Sequence, residues 1–146
     1  MRDERVLVSA CLLGLRCRYD GRALEPCRLP EGICPVPVCP EQLGGLPTPR
    51  PPSRLYGGDG RAVLEGKARV VAEGGEDVTE AFLRGAQEAV KLAQAVGAKR
   101  AFLKERSPSC GVRWIWLADE LVEGKGVAAA ALEKAGIEII SSEVLK

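Results

Sequence analysis

Val6-Leu7-Val8-Ser9-Ala10-Cys11-Leu12-Leu13-Gly14 is an apolar, β-branched run that ends in a cysteine and then a glycine. Val6 to Ala10 is short and compact, and reads as a buried strand. The same grammar recurs twice. Val36-Pro37-Val38 runs into Cys39-Pro40-Glu41, and Ala101-Phe102-Leu103 leads to Ser107-Pro108-Ser109-Cys110-Gly111. Each cysteine falls just past the carboxyl end of a strand. Parallel strands bring those ends to one rim, and ligands of such sheets bind there. Cys11, Cys39 and Cys110 are therefore expected to share one site.

The segments between the strands fix the fold class. Asp77 is a good N-cap with Glu80 three residues on, and it starts a helix over Val78 to Val96. Phe82, Ala86, Ala89, Val90, Ala93 and Val96 give that helix one apolar face, and Gly97 stops it. A second helix is expected over Val127 to Lys134, ending at Gly136, with a strand from Ile137 to Ile140. Leu15 to Pro35 lacks helical period and reads as a long ordered loop, a kind usually functional or held in place. The prolines around Val36 suit an edge strand or a strand end. Gly44 to Pro52 is too rich in proline for regular structure. Gly57-Gly58-Asp59-Gly60 marks a turn, and Arg61–Leu64 with Lys67–Ala72 reads as a hairpin about Glu65-Gly66. Strands alternating with helices give an α/β three-layer sandwich with a mainly parallel, Rossmann-like sheet, as a single domain over 1–146.

Six cysteines and no histidine bound the chemistry. A Cys-His dyad and a His-ligated zinc hydrolase are excluded. The net charge is +1 with both signs interspersed, which argues against a nucleic-acid or anionic-membrane partner. No apolar stretch approaches the ~20 residues that cross a bilayer. Met1 to Arg5 carries acids and precedes too short an apolar run for a signal peptide, so a cytoplasmic protein with reduced thiols is expected.

Three converging thiolates suit an iron–sulfur cluster or zinc. A closed zinc site wants a fourth ligand, which Cys17, Cys27 or Cys34 could supply. A plain strand end would not need the Pro, Gly and Ser that flank Cys11, Cys39 and Cys110, which sets them apart from small buried hydrophobes. Cys17, Cys27 and Cys34 sit in the long loop without such flanks and read as spectators, or as partners in an adventitious disulfide. Glu41 is the best-placed carboxylate for proton transfer, with Ser107 and Ser109 as hydroxyls that either relay a proton or brace the turn at Pro108. Gly44-Gly45 and Gly111 either let backbone approach a ligand or meet turn geometry. Arg18, Tyr19 and Asp20 either line the pocket or, for Arg18 and Asp20, pair as ions.

At these residues the chain resembles a known family. Ser-Ala-Cys11-Leu-Leu-Gly, Cys-Arg18-Tyr19-Asp20-Gly21, Pro-Val-Cys39-Pro-Glu41, Gly-Gly-Leu-Pro-Thr-Pro-Arg50, Gly-Gly-Asp59-Gly60, Asp77-Val-Thr, Leu103-Lys104-Glu105 and Ser107-Pro-Ser-Cys110-Gly111 follow one another in the order found in the short domain-of-unknown-function family that contains the bacterial 2-thiouracil desulfurases. The resemblance implies a [4Fe-4S] cluster on Cys11, Cys39 and Cys110, with one iron free of protein ligands and the cluster easily lost in aerobic purification. It implies desulfuration of a small thiolated base or nucleoside without net redox change, with Glu41 and Ser107 as the acid/base pair. A sulfur- or metal-carrying module and a desulfurase for thiouridine in tRNA are the alternatives. The chain departs from the family at Val112 to Asp119, where Trp114 and Trp116 replace a Tyr-Asp-Gly segment, and at Gly126 to Ala130, where the usual threonine is absent.

Overall fold

The computed structural model describes residues 3–145. Its first half contains β1 (Glu4–Ser9), β2 (Ile33–Val38), α1 (Pro40–Leu43), β3 (Ser53–Tyr56), α2 (Gly60–Leu64) and β4 (Arg69–Ala72). The second half contains α3 (Thr79–Val96), β5 (Arg100–Leu103), β6 (Trp114–Leu117), β7 (Glu120–Glu123), α4 (Val127–Lys134) and β8 (Glu138–Ser141). The principal sheet runs β2-β1-β5-β8 and every pair in it is parallel. Because the chain goes from β1 to β2 on one side and later to β5 on the other, the order reverses about β1, where such sheets bind ligands.

Val6, Leu7 and Val8 are all fully buried, so the central strand needs cover on both faces. Leu7, Ala101 and Leu103 pack on Ala89 and Ala93 of α3 and on Ala129 and Leu132 of α4. Val6, Val8 and Phe102 face the other way, onto Leu12, Cys27, Leu29 and Leu145. The three layers are thus helices, sheet and a covering coil drawn mainly from the long loop. Pro35 and Pro37 sit opposite Val6 and Val8 in β2, whose other edge pairs with no strand among the described residues, so their missing N–H groups cost no ladder bond.

α3 joins this sheet to a second one. Phe82 and Ala86, near its start, pack with Leu55, Val70 and Ile115 of a mixed sheet ordered β4-β3-β6-β7. This sheet corrects the expected hairpin at Glu65-Gly66. Gly60–Leu64 is helical because the Asp59 carboxylate accepts the N–H groups of Arg61 and Ala62, and the partner of β4 is β3. The start of α3 also differs slightly from the expected cap: Val78 is the N-cap, and Asp77 accepts the Thr79 N–H. No helix among the described residues is long and apolar enough to cross a membrane.

Candidate active site

Cys11 lies in a single 3-10 turn directly after β1, and Gly14, at φ 88°, ends that turn. Cys39 is the N-cap of α1, directly after β2. α1 is pressed against α3, where a Cβ on Gly44 would collide with the Ala81 carbonyl and one on Gly85 with the Pro40 carbonyl. The close approach at Gly44 is therefore to a helix and not to a ligand. Cys110 follows β5 through a loop that hangs on the amino end of α4. The free N–H groups of Gly126, Val127 and Ala129 are taken by the carbonyls of Gly111, Pro108 and Ser109. A side chain at Gly126 would strike the Ser109–Cys110 peptide.

These elements bring Cys11, Cys39, Cys110, Glu41 and Ser107 onto the wall of one cavity of about 370 Å³. Arg54 and Trp116 of the second sheet line it too, with the Arg54 guanidinium 4.7 Å from the Trp116 ring centre. Arg18 and Tyr19 line it as well; Asp20 does not, and lies 3.9 Å from Arg18 as its ion-pair partner. All six cysteines are free thiols. Cys27 packs beneath the sheet and Cys34 is exposed on β2, away from the cavity. Cys17 differs from the reading as a spectator: it is buried, lines the cavity, and its carbonyl accepts the Cys39 thiol at 3.8 Å.

Three polar residues had no decisive signal in the sequence. Arg50, with a side chain 5% exposed, gives Nε to Glu41 Oε1 at 2.9 Å and NH2 to the Cys17 carbonyl at 2.9 Å. It thereby ties the long loop to the carboxylate, and only its position in the Pro-Thr-Pro-Arg run hinted at this. Ser109 Oγ donates to Glu41 Oε2 at 2.9 Å and lies 3.0 Å from Ser107 Oγ. Ser107 thus reaches Glu41 through Ser109. Glu105, which is 2% exposed, accepts the N–H groups of Val112, Arg113 and Trp114 on Oε1, each at 2.9 Å.

Three of the thiols, Cys17, Cys39 and Cys110, are pushed towards the protonated form. The Cys11 thiol beside it pushes Cys17 up to about 11, helped by burial. Its bond to Cys17 raises Cys39, again with burial and with the Glu41 charge adding. Burial pushes Cys110 up to about 12 against the opposing Ser9 and Ser109 hydroxyls. Crowding several thiolates beside Glu41 needs a compensating positive centre. Among the described residues no three thiols or carboxylates converge on a point that would hold a single metal ion. Thiols spread around a cavity wall fit a polynuclear cluster, in which different thiolates would bind different irons.

The sequence profile of the 2-thiouracil desulfurase family matches residues 6–144. The chain belongs to that family. The uncharacterized protein YbbK of Bacillus subtilis (strain 168) is 43% identical over 146 residues, covering 96% of this chain and 97% of its own. The solved structure of the [4Fe-4S]-dependent thiouracil desulfidase TudS matches with a TM-score of 0.80 at 38% identity, over 97% of this chain and 92% of that one. As a member of the family, this desulfurase is a C–S bond-cleaving enzyme.

Proposed function

We propose that this desulfurase, acting as one domain, converts the thiocarbonyl of a 2-thiouracil-like base or nucleoside to a carbonyl. Water supplies the oxygen, sulfide leaves, and no electrons are gained or lost. Cys11, Cys39 and Cys110 would hold a [4Fe-4S] cluster, leaving one iron free of protein ligands. When bound, the cluster supplies a Lewis-acidic iron to the thiocarbonyl sulfur. The observation that carries this reading is that three strand-end thiols, a carboxylate and a serine pair meet on one cavity wall.

The remaining steps belong to the side chains. Glu41 is fixed by Arg50 on one oxygen and takes or gives a proton on the other. Ser107 lines the cavity and is the hydroxyl partner of Glu41 in the proposed acid/base pair. The Trp116 ring offers an apolar surface for a flat heterocycle. A cavity of about 370 Å³ takes a small base in preference to a folded polynucleotide. Anaerobically reconstituted protein should release uracil and sulfide from 2-thiouracil in equal amounts. Glu41→Gln should keep the cluster and lose turnover. Undiminished turnover by Glu41→Gln would remove Glu41 from the reaction, and no product from loaded wild type would remove the substrate.

A further inference from the structure

The hydrogen bonds at Ser107 have only one consistent polarity. A serine hydroxyl carries one proton and two lone pairs. Ser107 Oγ already accepts the backbone N–H of Ser109 at 3.2 Å and that of Cys110 at 3.0 Å. Both lone pairs are spent, so the 3.0 Å contact with Ser109 Oγ must use the proton of Ser107. Ser109 then receives at that contact and donates its own proton to Glu41 Oε2 at 2.9 Å. The Ser109 hydroxyl also lies 3.8 Å from Cys110 Sγ, a much weaker acceptor at that distance. Glu41 Oε1 is engaged by Arg50, which leaves Oε2 for the serine. Ser109 is 3% exposed and the Glu41 side chain 12%, so bulk water has little access with which to replace the link.

We propose that Ser109 conducts the proton between Ser107 and Glu41, and that Glu41 acts on Ser107 only through it. The inference rests on the desulfurase reading for its substrate but not for its hydrogen-bond polarity. In the forward step the Ser107 O–H proton passes to Ser109 Oγ while the Ser109 proton passes to Glu41 Oε2. No electrons move between redox centres. The resulting negative charge on Ser107 Oγ is received by the N–H groups of Ser109 and Cys110, already aimed at it. Running the step backwards returns the proton. Ser109 is a positioning residue here, acting through its two neighbours.

The test uses the cluster-loaded full chain and an isosteric pair, Ser109→Thr and Ser109→Val, beside Ser109→Ala. Threonine keeps the hydroxyl and valine fills the same volume without it, so a difference between them is not a packing effect. The first readout is the rate at which a serine-directed fluorophosphonate modifies Ser107, followed by peptide mass spectrometry. The second is 2-thiouracil turnover at equal iron content. Ser109→Val and Ser109→Ala should slow both by about 100-fold with KM unchanged, and Ser109→Thr should stay within a few-fold of wild type. Threonine and valine variants that label Ser107 and turn over equally fast would overturn the proposal, as would wild type in which Ser107 takes no label. Labelling that follows the Ser109 hydroxyl while no form converts 2-thiouracil would keep the relay and overturn the substrate reading.

Discussion

Replacing Glu105 by glutamine should loosen the loop that carries Ser107, Ser109 and Cys110, and the cost can be worked from its bonds. Oε1 accepts three backbone N–H groups at 2.9 Å, whereas Oε2 is buried without a hydrogen-bond partner among the described residues. A hydrogen bond to a charged group contributes roughly 1.5–3 kcal/mol and a neutral one roughly 0.5–1.5 kcal/mol. Glutamine keeps the acceptor but removes the charge, a loss of roughly 1 kcal/mol per bond. No longer burying a charge with one bare oxygen offsets about a third of that sum. The net loss is ~2 kcal/mol, or about 4–8 °C in Tm for a chain of this size. The pH dependence supplies a second check. Burial pushes the Glu105 carboxyl up, but the nearby Ser141 hydroxyl, which makes no hydrogen bond to Oε2, and the three N–H groups outweigh it and hold the group below its ordinary value. A carboxyl depressed in the folded state stabilises fully above its unfolded pKa and loses that contribution as pH falls through the folded one. Urea unfolding followed by tryptophan fluorescence should show wild type above Glu105→Gln at pH 7, with the gap closing as pH falls below the ordinary carboxyl range. Equal stability at pH 7, or a gap that persists unchanged in acid, would show that the Glu105 charge does not brace this loop.

Other substitutions separate the ligands from the support around them. Cys11→Ser, Cys39→Ser and Cys110→Ala should each lose iron and the visible absorption of the cluster. Cys27→Ser and Cys34→Ser, away from the cavity, should keep both. Arg50→Lys should lower kcat by about 100-fold with iron retained, because one ammonium cannot bond Glu41, Thr48 and the Cys17 carbonyl together. Steady-state kinetics at measured iron content checks this. Gly85→Ala should destabilise the protein by about 1–3 kcal/mol, read by thermal unfolding, since the new methyl meets the Pro40 carbonyl and pushes α1 away.

Much of the architecture was legible because local signals and tertiary context agree. α4 occupies the expected span, α3 starts one residue later, and β1, β5 and β8 lie within two residues of their apolar runs. The strand-end position of Cys11, Cys39 and Cys110 then follows from topology. α2 was illegible because Arg61-Ala62-Val63-Leu64 is too short to show a period, and its helix depends on a cap by Asp59, which also accepts the Lys125 N–H. The β6–β7 hairpin was missed because Ala118-Asp119 lacks the usual Asn-Gly signal, yet Ala118 adopts φ 51°. At the site, the thiols and Glu41 announced themselves through their neighbours in sequence. Cys17 and Arg50 act through a contact between residues 33 positions apart. The order of Glu41, Ser109 and Ser107 depends on a bond spanning 68 positions, which no local pattern encodes.

The proposed chemistry requires Cys11, Cys39 and Cys110 to hold an open iron–sulfur cluster in the cavity beside Glu41. Its most direct test is to purify the full chain without oxygen and measure iron, zinc and acid-labile sulfide together with visible absorption. About four irons and four sulfides per chain, falling away in Cys110→Ala, is the predicted result. Stoichiometric zinc without sulfide, unchanged after attempted cluster reconstitution, would contradict it.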